Sequence, residues 1–201
     1  MYVIGLDIGT TGTKALLVET GTGIVAGKGY QGYSLSTQDN RVEQDANDWI
    51  SASKAAIREA MAGNEQKSVS AIALSTQGAS MAMVDASGKP IGSAITWMDS
   101  RARAEAAELE TLLGNEYVYH MCSWRIFPTL DAAKILHLRR AGLSQPDCRY
   151  LSTIEIVHEY LTGRAVIDPT NAAIRQLMDI RTARWDPRML EALGITPEQL
   201  P

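Results

Sequence analysis

A chain of 201 residues, 45% of them apolar, is long enough to bury one sizeable core, which excludes a disordered chain. With 19 basic and 23 acidic residues and a net charge of -4, it has no basic face for nucleic acid. Cys122 and Cys148 form no paired motif, and His120, His137 and His158 fall at no metal-ligand spacing. The first residues hold neither a basic leader nor a membrane span, so a reducing, cytoplasmic location is the expectation.

Three β-like runs open the chain, Tyr2 to Ile8, Lys14 to Glu19 and Gly23 to Tyr33, separated by short Gly/Thr clusters. Such short connections predict antiparallel neighbours. A helix follows Asp45 as its N-cap, carries Trp49, Ile50, Ser53, Ile57 and Ala60 at helical spacing, and stops at Gly63. Val69 to Ser75 and Ser80 to Val84 read as strands, Asp85 to Gly88 as a turn, and Ser93 to Trp97 as a further extended run. Arg101 to Leu113 is helical and ends at Gly114. Tyr117 to Phe127 has no clean period, and an inserted lobe near residues 115–150 is predicted there, with a helix from about Thr129 to Ala141. Ser152-Thr153-Ile154-Glu155 matches a capping box for a short helix ending at Gly163. The last helix runs from Asp186 and Pro187 to Gly194. Strands followed by alternating strands and helices predict an α/β domain with a mixed sheet and flanking helices.

The most informative stretch is Asp7-Ile8-Gly9-Thr10-Thr11-Gly12-Thr13-Lys14. An acid closing a buried strand is costly unless a cation or a tight hydrogen-bond network compensates it. Gly9 and Gly12 permit a turn whose N–H groups face an anion, the threonines add hydroxyl donors, and Lys14 adds positive charge. The stretch is neither a Walker loop nor GxGxxG, because its turn joins two strands. From the residues alone it fits a nucleotide phosphate site with Mg²⁺ held at Asp7 through water, or an ordinary hairpin in which Asp7 caps a turn.

The D-x-G-T-T-x-x-K hairpin resembles the first phosphate loop of the actin-like ATPases and sugar kinases. That resemblance implies a ribonuclease H-like, actin-like ATPase domain, with ATP phosphates at Thr10, Thr11, Gly12 and Lys14 and Mg²⁺ at Asp7. A second stretch, Gln77-Gly78-(x6)-Asp85-(x2)-Gly88-Lys89-Pro90-(x4)-Ile95-(x)-Trp97-(x)-Asp99-(x)-Arg101, resembles the FGGY carbohydrate kinases. Further matches are Glu43-Gln44-Asp45, Pro128-(x5)-Lys134, Asn171-Ala172, and the run from Asp179 to Pro201, so the resemblance covers nearly the whole chain.

The resemblance implies ATP-dependent phosphorylation of a sugar or polyol. Its expected substrate-binding residues are Gln77, Gly78, Ala79, Trp97, Asp99 and Arg101. An indole face packs on sugar C–H groups, while amide and carboxylate bond hydroxyls. Taken alone, Trp97 equally fits core packing, and Asp99 and Arg101 equally fit a helix start or a mutual ion pair. Glycerol kinases carry an Arg-Glu pair where Gly78-Ala79 stands, and xylulokinases commonly carry Met-His, so the resemblance disfavours glycerol and weakens xylulose. Thr129, where glycerol kinases have tyrosine, points the same way. The resemblance also implies that the chain is an N-terminal, sugar-binding domain that is incomplete at its end. Its catalytic Asp lies beyond Pro201, its partner is its own C-terminal nucleotide-binding domain, and homodimerisation is left open. The rival classes are a non-kinase actin-like ATPase and a non-catalytic sugar-binding module.

Overall fold

The computed structural model describes residues 1–201. Tyr2–Ile8 (β1) alternates, turning Ile4, Leu6 and Ile8 into the core. It pairs antiparallel with Gly12–Glu19 (β2), which pairs antiparallel with Val25–Gly32 (β3), as the short connections require. Ser36–Gln38 (β4) and Arg41–Gln44 (β5) form another hairpin. That hairpin is absent from the sequence reading although Asp39-Asn40 marks its two-residue turn, where Asp39 has φ 53°. Ala46–Met61 (α1) follows, its N-cap Asp45 accepting a hydrogen bond from Asn47 N. Val69–Thr76 (β6) returns parallel to β1, giving a mixed sheet of order β3-β2-β1-β6.

The helix α1 lies close on this sheet because its facing residues are small. A Cβ on Gly27 would stand 1.9 Å from Ala60 O, and one on Gly29 would stand 2.0 Å from Ala56 O. Only glycine at these two strand positions permits that approach.

The β4-β5 hairpin joins Met81–Val84 (β7), Pro90–Ile95 (β8) and, later in the chain, Arg149–Ser152 (β9) in a five-stranded antiparallel sheet of order β4-β5-β8-β7-β9. Between β8 and β9 come Arg103–Leu113 (α2), Asn115–Cys122 (α3) and Asp131–Arg140 (α4). Thus Tyr117 to Phe127, without a clean period in sequence, begins as helix; α3 is only eight residues long and ends on Ser123 in the left-handed region. After β9 come Thr153–Thr162 (α5), Pro169–Ile174 (α6), the short pair Met178–Asp179 (β10) and Arg184–Trp185 (β11), and Pro187–Leu193 (α7). The Ser152–Glu155 capping box forms, and Gly163 and Gly194 close α5 and α7 in the left-handed conformation. The helix α6 is a further element absent from the sequence reading, signalled by Asp168 as N-cap and Pro169 in the first turn.

The strand β7 shows how the layers meet. All four of its residues are buried. Met81 and Met83 join a core with α2, α3, α4 and α7, whereas Ala82 and Val84 join a core with β1, β2, α1 and α5. A strand buried on both faces reads as a continuous apolar run, which is why this stretch lacks alternation. Residues 115–150 share the first of these cores with Met81, Met83 and Ile95.

Candidate active site

The opening hairpin and the Gln77 to Trp97 stretch, far apart in sequence, face each other across a cleft of about 500 Å³. Parallel pairing of β1 with β6 brings them together, since it sets Ile8 beside Thr76 and lets Gln77 N donate to Ile8 O at 2.8 Å. Asp7, Gly9 and Thr10 line one side of the cleft. Gln77, Gly78, Ala79 and Trp97 line the other, with Thr129, Leu130 and Ile174 closing the end.

On the hairpin side, Gly9 N donates to Gly12 O at 3.0 Å and closes the turn. The N–H groups of Thr10 and Thr11 at its tip make no hydrogen bond within the chain, as an anion-binding turn requires. The Tyr33 hydroxyl donates to Gly9 O and the Tyr30 hydroxyl to Thr11 O, so Tyr30 on β3 and Tyr33 just after it anchor the loop. Burial pushes the Tyr33 hydroxyl up to about 12. Asp7 is exposed, contrary to the buried acid expected, and is the only carboxylate lining the cleft. Lys14 stands beside Asp7 across the ladder and faces a neighbouring groove that Asp7 also borders. Thr11 is exposed at the tip, and Gly12 is buried against the Tyr30 ring, where a Cβ would lie 2.6 Å from the hydroxyl. Of the four expected phosphate residues, therefore, only Thr10 lines the main cleft.

On the opposite side, Trp97 is 46% exposed, so core packing does not explain it. Its Nε1 donates to Thr10 Oγ1 at 3.1 Å. Gly78 leaves open space, since a Cβ there would meet only Ile174 Cδ1, at 3.8 Å. Ala79 adopts φ 50°, unusual for a residue with a side chain. That conformation is held from behind by Lys134, wholly buried, whose Nζ donates to Ala79 O at 2.6 Å. Burial pulls the Lys134 ammonium down to about 8 against the opposing pull of Asp131 and Asp99.

Asp99 and Arg101 do not line the cleft; of the readings the sequence left open for them, the mutual ion pair is the one that forms. Asp99 is fully buried and accepts from Val42 N at 2.7 Å and from Arg101 Nη2 at 2.6 Å. Burial raises its pKa, but the Arg101 and Val42 hydrogen bonds outweigh this and hold the carboxyl below its ordinary value. Arg101 also meets Glu43 at 2.6 Å. Both side chains thereby tie the start of α2 to β5. Sequence reasoning had used Thr129 only to argue against glycerol, and assigned no role to Leu130 and Ile174 beside it at the end of the cleft, nor to Gln44 and Lys134 behind its walls. Gln44 and Lys134 sit in matched motifs, but spacing could not show where their polar atoms go.

The model of the FGGY family of carbohydrate kinases, N-terminal domain, matches residues 2–201. The chain belongs to this family. The gluconokinase of Bacillus licheniformis is 30% identical over 202 residues, covering 99% of this chain and 39% of that protein. The glycerol kinase of Azotobacter vinelandii is 31% identical over 211 residues, covering all of this chain and 42% of the relative. Among solved structures, the gluconate kinase of Lactobacillus acidophilus superposes with a TM-score of 0.90 at 27% identity, covering 100% of this chain and 41% of that one. This FGGY chain thus has the actin-like ATPase fold and spans about two fifths of the length of the curated relatives it matches.

Proposed function

We propose that the protein carrying this FGGY domain transfers the γ-phosphoryl group of ATP to a hydroxyl of an open-chain sugar, polyol or aldonate. The observation that carries this reading is the single cleft in which the Asp7 to Thr10 turn faces Gln77, Gly78, Ala79 and Trp97. Phosphoryl transfer asks a protein chiefly for positioning and electrostatic stabilisation. The free Thr10 and Thr11 N–H groups at the tip of the Gly12 turn bind the phosphates, with the Lys14 charge acting from the neighbouring groove, and Trp97 packs on the substrate's C–H face. Asp7 fits Mg²⁺, which keeps most of its waters and needs one or two carboxylates besides the phosphates. The bound ion would offset charge on the phosphate oxygens.

With Asp7 so engaged, the acceptor of the substrate proton comes from the remainder of the longer protein, as does the nucleotide-binding domain that closes over the cleft and excludes water. The uncrowded Gly78-Ala79 floor suits a substrate larger than glycerol, and the gluconokinase relatives make gluconate the first candidate. Cytoplasmic location follows from this role in sugar metabolism.

The test is a panel of gluconate, D-xylulose and glycerol with ATP and Mg²⁺, using the full-length protein and its Asp7→Ala variant. The kinase reading expects turnover with at least one substrate and loss of the Mg²⁺-dependent rate in the variant. Sugar binding without phosphorylation in the wild type would leave a binding module, and ATP hydrolysis indifferent to every sugar would leave a non-kinase ATPase.

A further inference from the structure

A chain of side-chain amides runs behind the cleft and joins its two walls. Gln44, at the end of β5, is 3% exposed. Its Nε2 donates to Thr10 O at 2.6 Å, while its Oε1 accepts from Trp49 Nε1 at 3.2 Å and from Gln77 Nε2 at 2.8 Å. Trp49, fully buried on α1, fixes the polarity of the whole chain, because an indole N–H donates and never accepts. Gln44 must therefore turn its oxygen toward Trp49 and its amino group toward the Thr10 carbonyl. Gln77 must in turn give its amino group to Gln44, leaving its own Oε1 buried and without a partner. Trp97 supplies a parallel link by donating to Thr10 Oγ1. Thr10 is thus held at its carbonyl through Gln44 and at its hydroxyl through Trp97.

Resting on the kinase reading above, we propose that Gln44 is a positioning residue that sets Thr10 of the phosphate loop and Gln77 of the substrate wall in one register. Occupancy of the substrate wall then changes nucleotide affinity. Fixed donor and acceptor directions give this path its specificity, because a buried polar atom without a partner is costly.

The test uses the full-length protein and, as substrate, whichever of gluconate, D-xylulose and glycerol it turns over fastest. The affinity of a non-hydrolysable ATP analogue is titrated with and without that substrate, alongside KM for each ligand and the thermal midpoint. Gln44→Glu keeps the shape and the oxygen facing Trp49 but sets a carboxylate against Thr10 O; Gln44→Met removes both polar atoms. Each is expected to weaken the analogue about threefold to tenfold and to abolish the gain in its affinity on adding substrate. Gln44→Glu, which retains the acceptor toward Gln77, raises substrate KM less than Gln44→Met does. A folded Gln44→Met protein that keeps the substrate-induced gain overturns the proposal, as do equal effects of the two variants on both ligands. Should Gln44→Met not fold, Trp49→Phe, which releases the polarity while keeping Gln44, is judged by the same gain. Absence of phosphoryl transfer by the wild type would overturn the kinase reading, whereas normal coupling in the variants would overturn only the role of Gln44.

Discussion

The two sides of the cleft rest on differently built halves. Behind the opening hairpin, Ile4, Leu6, Ile8, Ala15 and Leu17 meet Trp49, Ala56 and Ala60 of α1 in an apolar layer. Its buried polar residues, Thr13, Gln44 and Ser53, are all uncharged. Behind the opposite wall, the ionisable Asp99, Asp131, Lys134, Glu155 and Arg175 are buried, and burial raises the Glu155 carboxyl above its ordinary value against the pull of Arg175. Arg175 meets Asp131 at 2.7 Å and Glu155 at 3.2 Å and donates to Tyr150 O at 2.8 Å. The strand ladder therefore places the hairpin, whereas buried ions holding carbonyls at Ala79 and Tyr150 place the substrate wall. A ladder fixes the backbone residue by residue; an irregular wall with a left-handed alanine needs groups that reach it from neighbouring helices.

This contrast breaks first at Arg175. Arg175→Met leaves Asp131 and Glu155 buried without their partner and is expected to destabilise the protein by about 4 kcal/mol, read by denaturant unfolding. A loss below about 1 kcal/mol would show that the charged layer contributes little to the substrate half. On the apolar side, Gly29→Ala drives a Cβ into Ala56 O and is expected to cost about 3 kcal/mol, the upper end for over-packing, because backbone has to move. Unchanged unfolding would mean that α1 shifts freely over the sheet.

Lys134 sharpens the comparison through pH. An unfolded lysine holds its proton to about 10.5, whereas Lys134, facing Asp131, Asp99 and Arg101, releases it near 8. Between these values the unfolded chain binds more protons, so its contribution to stability rises from pH 8 to 10, by on the order of 2 kcal/mol, and is flat below 8. Lys134→Met abolishes that rise. Tyr33 and Tyr117, both raised to about 12, take stability away above pH 10 in either protein, which bounds the usable window. An identical pH profile for wild type and variant would contradict the buried ammonium. The smallest effect is at the hairpin: Tyr33→Phe removes one hydrogen bond to Gly9 O, costing about 1 kcal/mol, with ATP KM raised and substrate KM unchanged. Equal changes in both constants would show that the hairpin is not held independently.

What was legible in the sequence follows this division. Alternation along β1, the short turns at residues 9–11 and 20–24, the Asp45 cap and the small face of α1 are local properties, each set by neighbours within a few residues. They determined the opening three strands, α1 and the position of the opening hairpin, and the Gln77 to Arg101 stretch with its further matches determined the family. Tertiary structure alone decided which polar atoms meet. Asp99 and Arg101 have the chemistry of sugar ligands, but packing set Val42 N and Glu43 around them and closed them from the cleft. Lys134 reaches Ala79 across 55 residues, Gln44 reaches Thr10 across 34, and Arg175 reaches Asp131 across 44. A hydrogen bond depends on distance and direction between atoms brought together by the whole core, and no local periodicity encodes that meeting.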